Sequence, residues 1–246
     1  MTFSIPTKSS KHWKKIGAHH HHGICVPLFF LKTHKSEGIG EYSDLLPLID
    51  WCKSIGFDTI QLLPLNDTCQ DSSPYNALSS FALHPVYLNL LSLPNFKKYL
   101  DLVKEVTSLI KLNNQKKIDY PLVANKKENI LSLYLDREYA NLIQNKDFSD
   151  FLLKEQSWLE PYGLFKSLKK VFPQAFWQWP KELRNFTSAR QHSLSKGLDK
   201  HIKKEFLKQF FCFQQLKMAK DHATENNILL KGDLPILIRK DSSDVW

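Results

Sequence analysis

The sequence has little glycine and little cysteine. Its 8 glycines against 12 prolines in 246 residues exclude collagen-like and glycine-rich linker architectures. The 4 cysteines form no CxxC pair, which argues against a zinc site and against a small disulfide-stapled secreted fold. We therefore expect reduced thiols, packed as small hydrophobic groups in a cytoplasmic protein. They are Cys25, Cys52, Cys69 and Cys212.

Long apolar segments are also missing. The longest stretch, Ile24 to Leu31, is far shorter than the roughly 20 residues that cross a bilayer. The first residues do not have the pattern of a secretory signal, so we expect no membrane partner. Hydrophobic residues make up 42% and charged residues 24%, which is typical of a soluble globular protein of one or two domains.

Positive charge is in excess, with a formal net charge of +9. Many of the lysines between Lys97 and Lys127 alternate with apolar residues, which is typical of the solvated faces of helices. A basic nucleic-acid-binding protein is the alternative, but arginine is scarce and we expect no nucleic-acid partner. The run His19–His22 is interpreted as chain leading into the first strand, because adjacent histidines in a regular element cannot all face one metal. No metal site is predicted.

The first part of the chain has the pattern of a strand–helix–strand unit. Residues 24–29 form a continuous apolar run, typical of a strand buried on both faces, and Gly38-Ile39-Gly40 predicts a flexible turn. A helix follows, with Ser43 as its predicted cap and Gly56 as its end. Residues 59–63 read as the second strand, parallel to the first.

The rest of the chain is predicted to be mostly helical. A polar loop over residues 66–76 precedes helices from about residue 92 to 190, and a further long helix ends at Asn226-Asn227. A third buried strand is predicted over residues 228–230 and 234–238. Apolar stripes support two of the helices: Leu131, Leu135, Tyr139 and Leu142 in one, and Tyr162, Phe165, Leu168 and Phe172 in the other.

Counting residues shows how much of a (β/α)8 TIM barrel this chain could contain. A complete barrel averages about 30 residues per βα unit, whereas here about 150 residues separate the second and third strands and must form a large helical insertion. If the fold is a barrel, five strands are missing and the chain is its N-terminal portion, about strands 1–3. The predicted divisions are a basic arm over 1–22, a βαβ part over 23–91, a helical subdomain over 92–200, and a helix with the third strand over 201–246.

Four segments together resemble one family. In chain order they are Gly23–Pro27 with Gly38–Glu41, then Gln61–Thr68 with Ser73–Ala82, then Trp158–Phe165 with Trp177–Pro180, and finally Gly232–Ile236 with Asp241–Trp246. They are similar to segments of the amylomaltases, the 4-alpha-glucanotransferases also called disproportionating enzymes. The resemblance implies a (β/α)8 barrel that transfers α-1,4-glucan segments between malto-oligosaccharides, with retention of configuration and without a cofactor.

The resemblance also implies two essential carboxylates. In the family, a nucleophile lies in an Arg-x-Asp-His motif after the fourth strand, and an acid/base glutamate follows the fifth strand. No Arg-x-Asp-His motif occurs in these 246 residues. We therefore expect no catalytic residue in this chain, with both carboxylates beyond Trp246, and an N-terminal part that is inactive alone. The missing part of the enzyme is then a possible partner.

The resemblance implies that this chain contains one wall of the substrate-binding site, that is, the residues on one side of it. Tyr75, in the Ser-Pro-Tyr segment, matches a tyrosine that contacts glucose, and Asp233 matches an acidic position on the third strand. Asp67 follows the second strand, on the side where barrel sites form, and is either a site or a turn residue. The other candidates are Ser73, Pro74, Asn76, His84, Asp241, Asp244 and Trp246. Trp177 and Trp179 suit a sugar platform, although core packing is favoured.

Two further alternatives stay open at the level of sequence. A non-catalytic glucan-binding or interaction fragment would bind maltodextrin without turnover. A related α-amylase-type hydrolase is disfavoured by the Ser-Pro-Tyr segment together with the segments around Asp233 and Asp241. Three strands with two open edges also predict a chain that aggregates or needs a partner.

Overall fold

The structure is a computed structural model that describes residues 13–14, 16–17, 19–236 and 238–246. Most of the predicted basic arm over 1–22 lies outside these residues. The sheet has three parallel strands in the order β1-β2-β3. Their bounds are Gly23–Val26 for β1, Thr59–Leu62 for β2 and Leu229–Lys231 for β3.

Seven helices account for most of the remaining regular structure from residue 19 onward. They are α1 (Leu45–Ser54), α2 (Leu100–Ile110), α3 (Tyr120–Leu142), α4 (Lys146–Val171), α5 (Phe186–Gln191), α6 (Ser193–Gly197) and α7 (Asp199–Glu225). Helix α1 forms the crossover from β1 to β2, which confirms the predicted βαβ unit. Helices α2 to α7 occupy the long connection from β2 to β3.

The ends of α1 follow from local chemistry. A 3-10 turn over Tyr42–Asp44 leads directly into the helix, and a capping box between Glu41 and Asp44 caps this turn, so the predicted cap by Ser43 is wrong. Gly56 ends the helix as predicted, with a φ of 82°. The amide of Phe57 donates to the carbonyl of Cys52 at 2.9 Å, and Gly56 donates to Lys53 at 3.2 Å. These bonds form a Schellman motif, which needs the left-handed backbone that glycine adopts without strain.

The two faces of the sheet differ. Ile24, Val26, Ile60 and Leu62 pack into the main hydrophobic core, whereas Cys25 and Lys231 on the opposite face are exposed and Gln61 is half-buried. The prediction that the first strand is buried on both faces is therefore wrong. The run of residues 24–29 is apolar because Leu28, in the 3-10 turn after Pro27, also enters the core.

Two other sequence-based expectations need correction. The turn Gly38-Ile39-Gly40 is buried rather than flexible, and a Cβ on Gly40 would lie only 1.8 Å from the carbonyl oxygen of Leu28. The thiols of Cys52 and Cys212 are buried as expected, but Cys25 is exposed on the open sheet face and Cys69 is half-buried.

The third strand is shorter than predicted. After Lys231 the chain leaves the sheet, and the side chains of Leu234 and Ile236 are 77% and 84% exposed. Residue 237 lies outside the described residues. An isolated bridge joins Ile238 to Ala77, next to the Ser-Pro-Tyr segment. Leu234 and Ile236 are therefore exposed in this chain, because no strand among the described residues pairs with residues 234–236.

The helices build two hydrophobic clusters. The main cluster joins the sheet to α1, α2, α3 and α7, and the predicted stripe on α3 points into it through Leu131 and Leu135. A second cluster contains the predicted stripe of α4, with Tyr162, Phe165 and Leu168. Because α2 and α3 belong to the same hydrophobic cluster as the sheet, the region predicted as a helical insertion shares one core with the barrel strands. The domain boundaries themselves stay a prediction.

Candidate functional site

The carboxyl ends of the three parallel strands lie at one edge of the sheet. The loop after β2 and the segment after β3 both leave from this edge, where barrel enzymes place their reactive groups. The loop after β2 includes the Ser-Pro-Tyr segment, and the segment after β3 begins with Gly232-Asp233. The loop after β2 and the segment after β3 therefore form the candidate site.

Tyr75 and Asp233 meet at this edge. The Tyr75 hydroxyl donates to Oδ2 of Asp233 at 2.9 Å, across 158 residues of sequence. Tyr75 is 39% exposed, so both its ring and its hydroxyl remain accessible. The hydrogen bond to the Asp233 carboxylate raises the pKa of Tyr75, because it favours the protonated phenol. The structure thus brings together two residues that the sequence singled out separately.

Asp71 shapes the loop that carries Tyr75. One carboxylate oxygen accepts from the amide of Ser73 at 2.8 Å, and the other accepts from Nδ2 of Asn76 at 2.5 Å. Both hydrogen bonds lower the pKa of Asp71, and the bond from Asn76 has the larger effect. Ser73 is exposed beside Tyr75, and Pro74 is half-buried. Sequence reasoning missed Asp71, although an aspartate two residues before a serine is a common turn signal.

Asp67 is a structural residue here. Its side chain is fully buried and accepts from the Tyr162 hydroxyl at 2.6 Å, from Nζ of Lys166 at 2.8 Å and from the amide of Cys69 at 2.8 Å. Burial alone would raise the pKa of Asp67, but the charge of Lys166, the neighbouring His84 and the hydrogen bonds from Lys166 and Tyr162 together outweigh burial and hold the pKa well below its usual range. With its oxygens enclosed in this way, Asp67 does not face the site. Its place after β2 made it a candidate, but position alone could not show its burial.

His84 is also enclosed. Its Nδ1 accepts from the amide of Val86 at 3.2 Å, so Nε2 carries the proton, 3.0 Å from the Cys69 carbonyl and 2.7 Å from the Tyr120 hydroxyl. Burial lowers the pKa of His84, which keeps the imidazole neutral. The predicted substrate-binding role is not supported, because the ring is occupied by contacts within the protein.

The last residues hold the chain end in place. Asp241 is buried and accepts from Nζ of Lys169 at 2.7 Å and from the amide of Phe176 at 3.1 Å. Asp244 accepts from the amide and hydroxyl of Ser80 at 2.8 and 2.6 Å. These acids anchor the segment after β3 to α4 and to the Ser-Pro-Tyr loop, so the structure gives them an anchoring role rather than the predicted contact with substrate.

Of the tryptophans named as candidates, Trp246 and Trp179 pack within the protein, whereas Trp177 is partly exposed. Trp246 donates to the carbonyl of Leu183 at 2.9 Å and packs against Trp179, which is fully buried in the second cluster. Trp246 is thus held by packing and a hydrogen bond, its contact with substrate stays a prediction, and the core interpretation of Trp179 is right. Trp177 is 41% exposed, with Nζ of Lys240 lying 5.0 Å from its ring centroid.

A cavity of about 480 Å³ adjoins the buried side of the loop after β2. The lining residues include Cys69, Gln70, Asn125 and Arg239, together with several lysines of α4. Among these, Lys166 pairs with Asp67 and Lys169 pairs with Asp241, so their charges are neutralised within the protein. Neither Tyr75 nor Asp233 lines this cavity, and the exposed edge of the sheet remains the better candidate site.

A family profile described as 4-alpha-glucanotransferase matches residues 26–246. The chain belongs to the 4-alpha-glucanotransferase family. It is 43% identical over 251 aligned residues to a 4-alpha-glucanotransferase of Chlamydia pneumoniae, covering all of this chain and 47% of that protein. A 4-alpha-glucanotransferase of Oryza sativa subsp. japonica is 32% identical over 232 residues, covering 91% of this chain and 24% of that protein. The chain thus spans about half the length of its chlamydial relative.

Two solved structures resemble the fold. The amylomaltase from Streptococcus agalactiae, solved in complex with acarbose, has a TM-score of 0.68 and 22% identity, and the match covers 91% of this chain and 45% of that one. The amylomaltase from Corynebacterium glutamicum has a TM-score of 0.71 and 17% identity, with 90% and 31% covered. These matches confirm the predicted fold class, a part of a (β/α)8 barrel with helical insertions.

The comparisons also confirm the predicted family. In the helices of the described residues, no segment is long and apolar enough to cross a membrane. The roles of the individual site residues remain predictions.

Proposed function

We propose that this chain provides one wall of the sugar site of a 4-alpha-glucanotransferase that transfers α-1,4-glucan segments between malto-oligosaccharides. The observation that carries the proposal is the hydrogen bond between Tyr75 and Asp233 at the carboxyl edge of the sheet. It places an accessible aromatic face beside a carboxylate in a member of this family.

The two side chains suit a sugar ligand. The ring of Tyr75 can stack on a pyranose, and its hydroxyl can donate to or accept from sugar hydroxyls. Among the described residues, Oδ1 of Asp233 accepts only from the amide of Leu234, at 2.9 Å, while Oδ2 accepts from Tyr75. Each carboxylate oxygen therefore retains a lone pair for a hydroxyl of the glucan. Ser73 and Pro74 extend this surface along the loop.

The transfer chemistry needs groups that these residues do not contain. A retaining mechanism uses two carboxyl groups about 5–5.5 Å apart, one as nucleophile and one as acid/base. No Arg-x-Asp-His motif is present, so we propose that the 246 residues alone are inactive and that further βα units supply both carboxylates. The proposed partners are malto-oligosaccharides and the remainder of the enzyme, in the cytoplasm.

Complementation tests this proposal. The purified chain is mixed with a separately produced polypeptide that contains the residues of the Chlamydia pneumoniae relative not matched by this chain. Glucose release from maltotriose is then measured. We expect no release from either polypeptide alone and release from the mixture. Release by this chain alone would contradict the proposed division of the catalytic groups.

A double-mutant cycle tests whether Tyr75 and Asp233 bind the glucan. Tyr75→Phe and Asp233→Asn both disrupt the same hydrogen bond, so we expect each to weaken maltoheptaose binding several-fold and the double variant to weaken it by less than the product. Calorimetry on the full chain gives the affinities, and Tyr139→Phe on α3 is the matched control. Unchanged affinity in both single variants would exclude these residues from the site.

A non-catalytic glucan-binding fragment is the second candidate. It is favoured by the fact that Tyr75 and Asp233 already meet in this chain. This function predicts maltoheptaose binding without any gain of glucose release in the complementation mixture. The two functions are therefore separated by the same experiment.

A further inference from the structure

Three side chains meet at the opposite edge of the sheet, where β1 and β2 begin. Nδ1 of His21 lies 2.7 Å from Oδ2 of Asp58, and Nε2 of His19 lies 3.7 Å from the same oxygen. The two imidazole rings are 4.3 Å apart between centroids. One ligand atom from each of the three residues lies within 4.8 Å of the other two.

Backbone hydrogen bonds hold this cluster together. The amide of His22 donates to Oδ1 of Asp58 at 3.0 Å, and the amide of Asp58 donates to the carbonyl of His22 at 2.9 Å. The hydroxyl of Thr59 donates to Oδ1 as well, at 3.1 Å. Oδ1 is therefore committed to the protein fold, whereas Oδ2 faces the two histidines.

Two alternate histidines of one run contact the same carboxylate. His19 and His21 both reach Asp58, while His20, between them, does not belong to the cluster. Adjacent histidines could not face one ion, as the sequence indicated, but alternate ones can. The carboxylate that completes the group comes from Asp58, far from the run in sequence.

We propose that His19, His21 and Asp58 bind a divalent transition-metal ion of the Zn²⁺ class. Imidazole nitrogen and carboxylate oxygen are the ligands such ions take, at roughly 2.0–2.2 Å. In a tetrahedral site with these bond lengths, two ligand atoms are roughly 3.3 Å apart. The separations of 2.7 and 3.7 Å from Oδ2 of Asp58 lie on either side of this value, so side-chain rotations that move atoms by a few tenths of an ångström bring both histidines to ligand distance, and a water would take the fourth position.

The two ring nitrogens of His21 have different surroundings. Nδ1 faces Oδ2 of Asp58, whereas Nε2 is buried and has no hydrogen-bond partner within the described part of the chain. An ion bound to Nδ1 would leave the proton of His21 on Nε2, because the nitrogen that binds a metal must be free of its proton.

The position of the cluster separates it from the sugar site. Asp58 directly precedes β2, whereas the loop that carries Tyr75 follows the carboxyl end of that strand. A bound ion would join the segment before β1 to the start of β2, and it would stabilise the folded chain because only the folded state brings Asp58 to the two histidines. The site is therefore structural and independent of glucan transfer.

Zinc binding to the full untagged chain tests the proposal. A chromogenic chelator in competition gives the affinity, and the zinc-dependent rise in melting temperature gives a second readout. We expect Asp58→Asn and His19→Gln each to weaken zinc binding at least tenfold and to abolish the rise. The exposed His20→Gln is the matched control and should leave both unchanged.

The control distinguishes a built site from a simple histidine run. If the run alone binds zinc, His20→Gln and His19→Gln weaken binding equally and Asp58→Asn has no effect, which would overturn the proposal. The absence of measurable zinc binding to the parent chain would also overturn it. Circular dichroism shows whether each variant folds. If Asp58→Asn misfolds, His19→Gln still tests zinc binding, because His19 makes no hydrogen bond on which the sheet depends among the described residues.

Discussion

At the scale of residues, the chain depends on charges that are buried in pairs. Asp67 and Lys166 form one such pair, and the hydroxyl of Tyr162 completes it. Removing one partner from a buried pair leaves the other charge buried without compensation. The resulting loss in the free energy of unfolding is larger than the net stabilisation that the pair provides. These residues therefore support the loop that carries Tyr75 without facing the site.

Asp67→Asn tests this role. We expect a loss of about 3–5 kcal/mol in the free energy of unfolding, because Lys166 stays charged and buried. Urea denaturation measures the loss. Asp221→Asn, which removes an exposed ion pair with Lys217, is the control and should change stability by less than about 0.5 kcal/mol.

The pH dependence gives a second readout of Asp67. The pKa of Asp67 is lower in the folded state than in the unfolded state, where it is about 3.9. Its contribution is therefore complete above the unfolded pKa and is lost as the pH falls toward the folded value. We expect the parent chain to lose stability more steeply than Asp67→Asn below about pH 4. Equal slopes would contradict the assignment.

At the scale of elements, close contacts fix how helices pack. Gly163 of α4 faces Phe206 of α7, and a Cβ on Gly163 would lie 2.4 Å from Cε1 of that ring. The glycine therefore allows the two longest helices among the described residues to approach closely. The apolar stripe on α4 could be predicted from its spacing, but its partner on α7 could not.

Gly163→Ala should destabilise the chain. Overpacking costs about 1–3 kcal/mol, and the better helix propensity of alanine returns about 1 kcal/mol, so we expect a net loss of up to about 2 kcal/mol. Gly197→Ala is the matched control, since a Cβ there would meet nothing within 4 Å. Thermal and urea unfolding of both variants give the comparison, and a stabilised Gly163→Ala would disprove the close contact.

A buried lysine joins α3 to the turn before α1. Nζ of Lys127 lies 2.6 Å from Glu41 and 3.2 Å from Glu37, and all three side chains are buried. Burial raises the pKa of Glu41, the charge of Lys127 opposes this rise, and Glu37 adds to it. Sequence analysis placed Lys127 on a solvated face, which is wrong, because the carboxylates that draw it inward lie far away in the chain.

Lys127→Met should therefore be more destabilising at high pH. Without the lysine the pKa of Glu41 rises further, so the folded state binds an additional proton and its stability falls as the pH rises through that pKa. We expect a loss of about 3–5 kcal/mol at pH 8 and a smaller loss at pH 5. Urea unfolding at both pH values, with Lys126→Met as control, measures this. Equal losses would show that Glu41 does not take up the proton.

At the scale of the whole molecule, the open sheet is the main feature. One face packs on helices, whereas the other exposes Cys25 and Lys231, and parallel sheets are ordinarily covered on both faces. Leu234 and Ile236 add apolar surface beside it. Such a surface favours association with another polypeptide.

We expect the chain on its own to self-associate. Light scattering coupled to size exclusion measures the mass, and Leu234→Ser with Ile236→Ser in one chain should reduce association. Leu153→Ser, which changes a leucine of α4 that is also 77% exposed, is the control and should not. A monomeric parent chain with one cooperative melting transition would contradict this expectation.

By itself, the sequence determined the family, the βαβ unit, the order of helices and strands, and Tyr75 and Asp233 as candidates. These follow from local patterns: apolar spacing, turn residues and short motifs. Only the tertiary structure decided that Asp67, His84 and Asp241 are enclosed, that Lys127 is buried and that Asp58 meets His19 and His21. Burial and charge pairing depend on residues distant in the chain, and local sequence patterns contain no information about such partners.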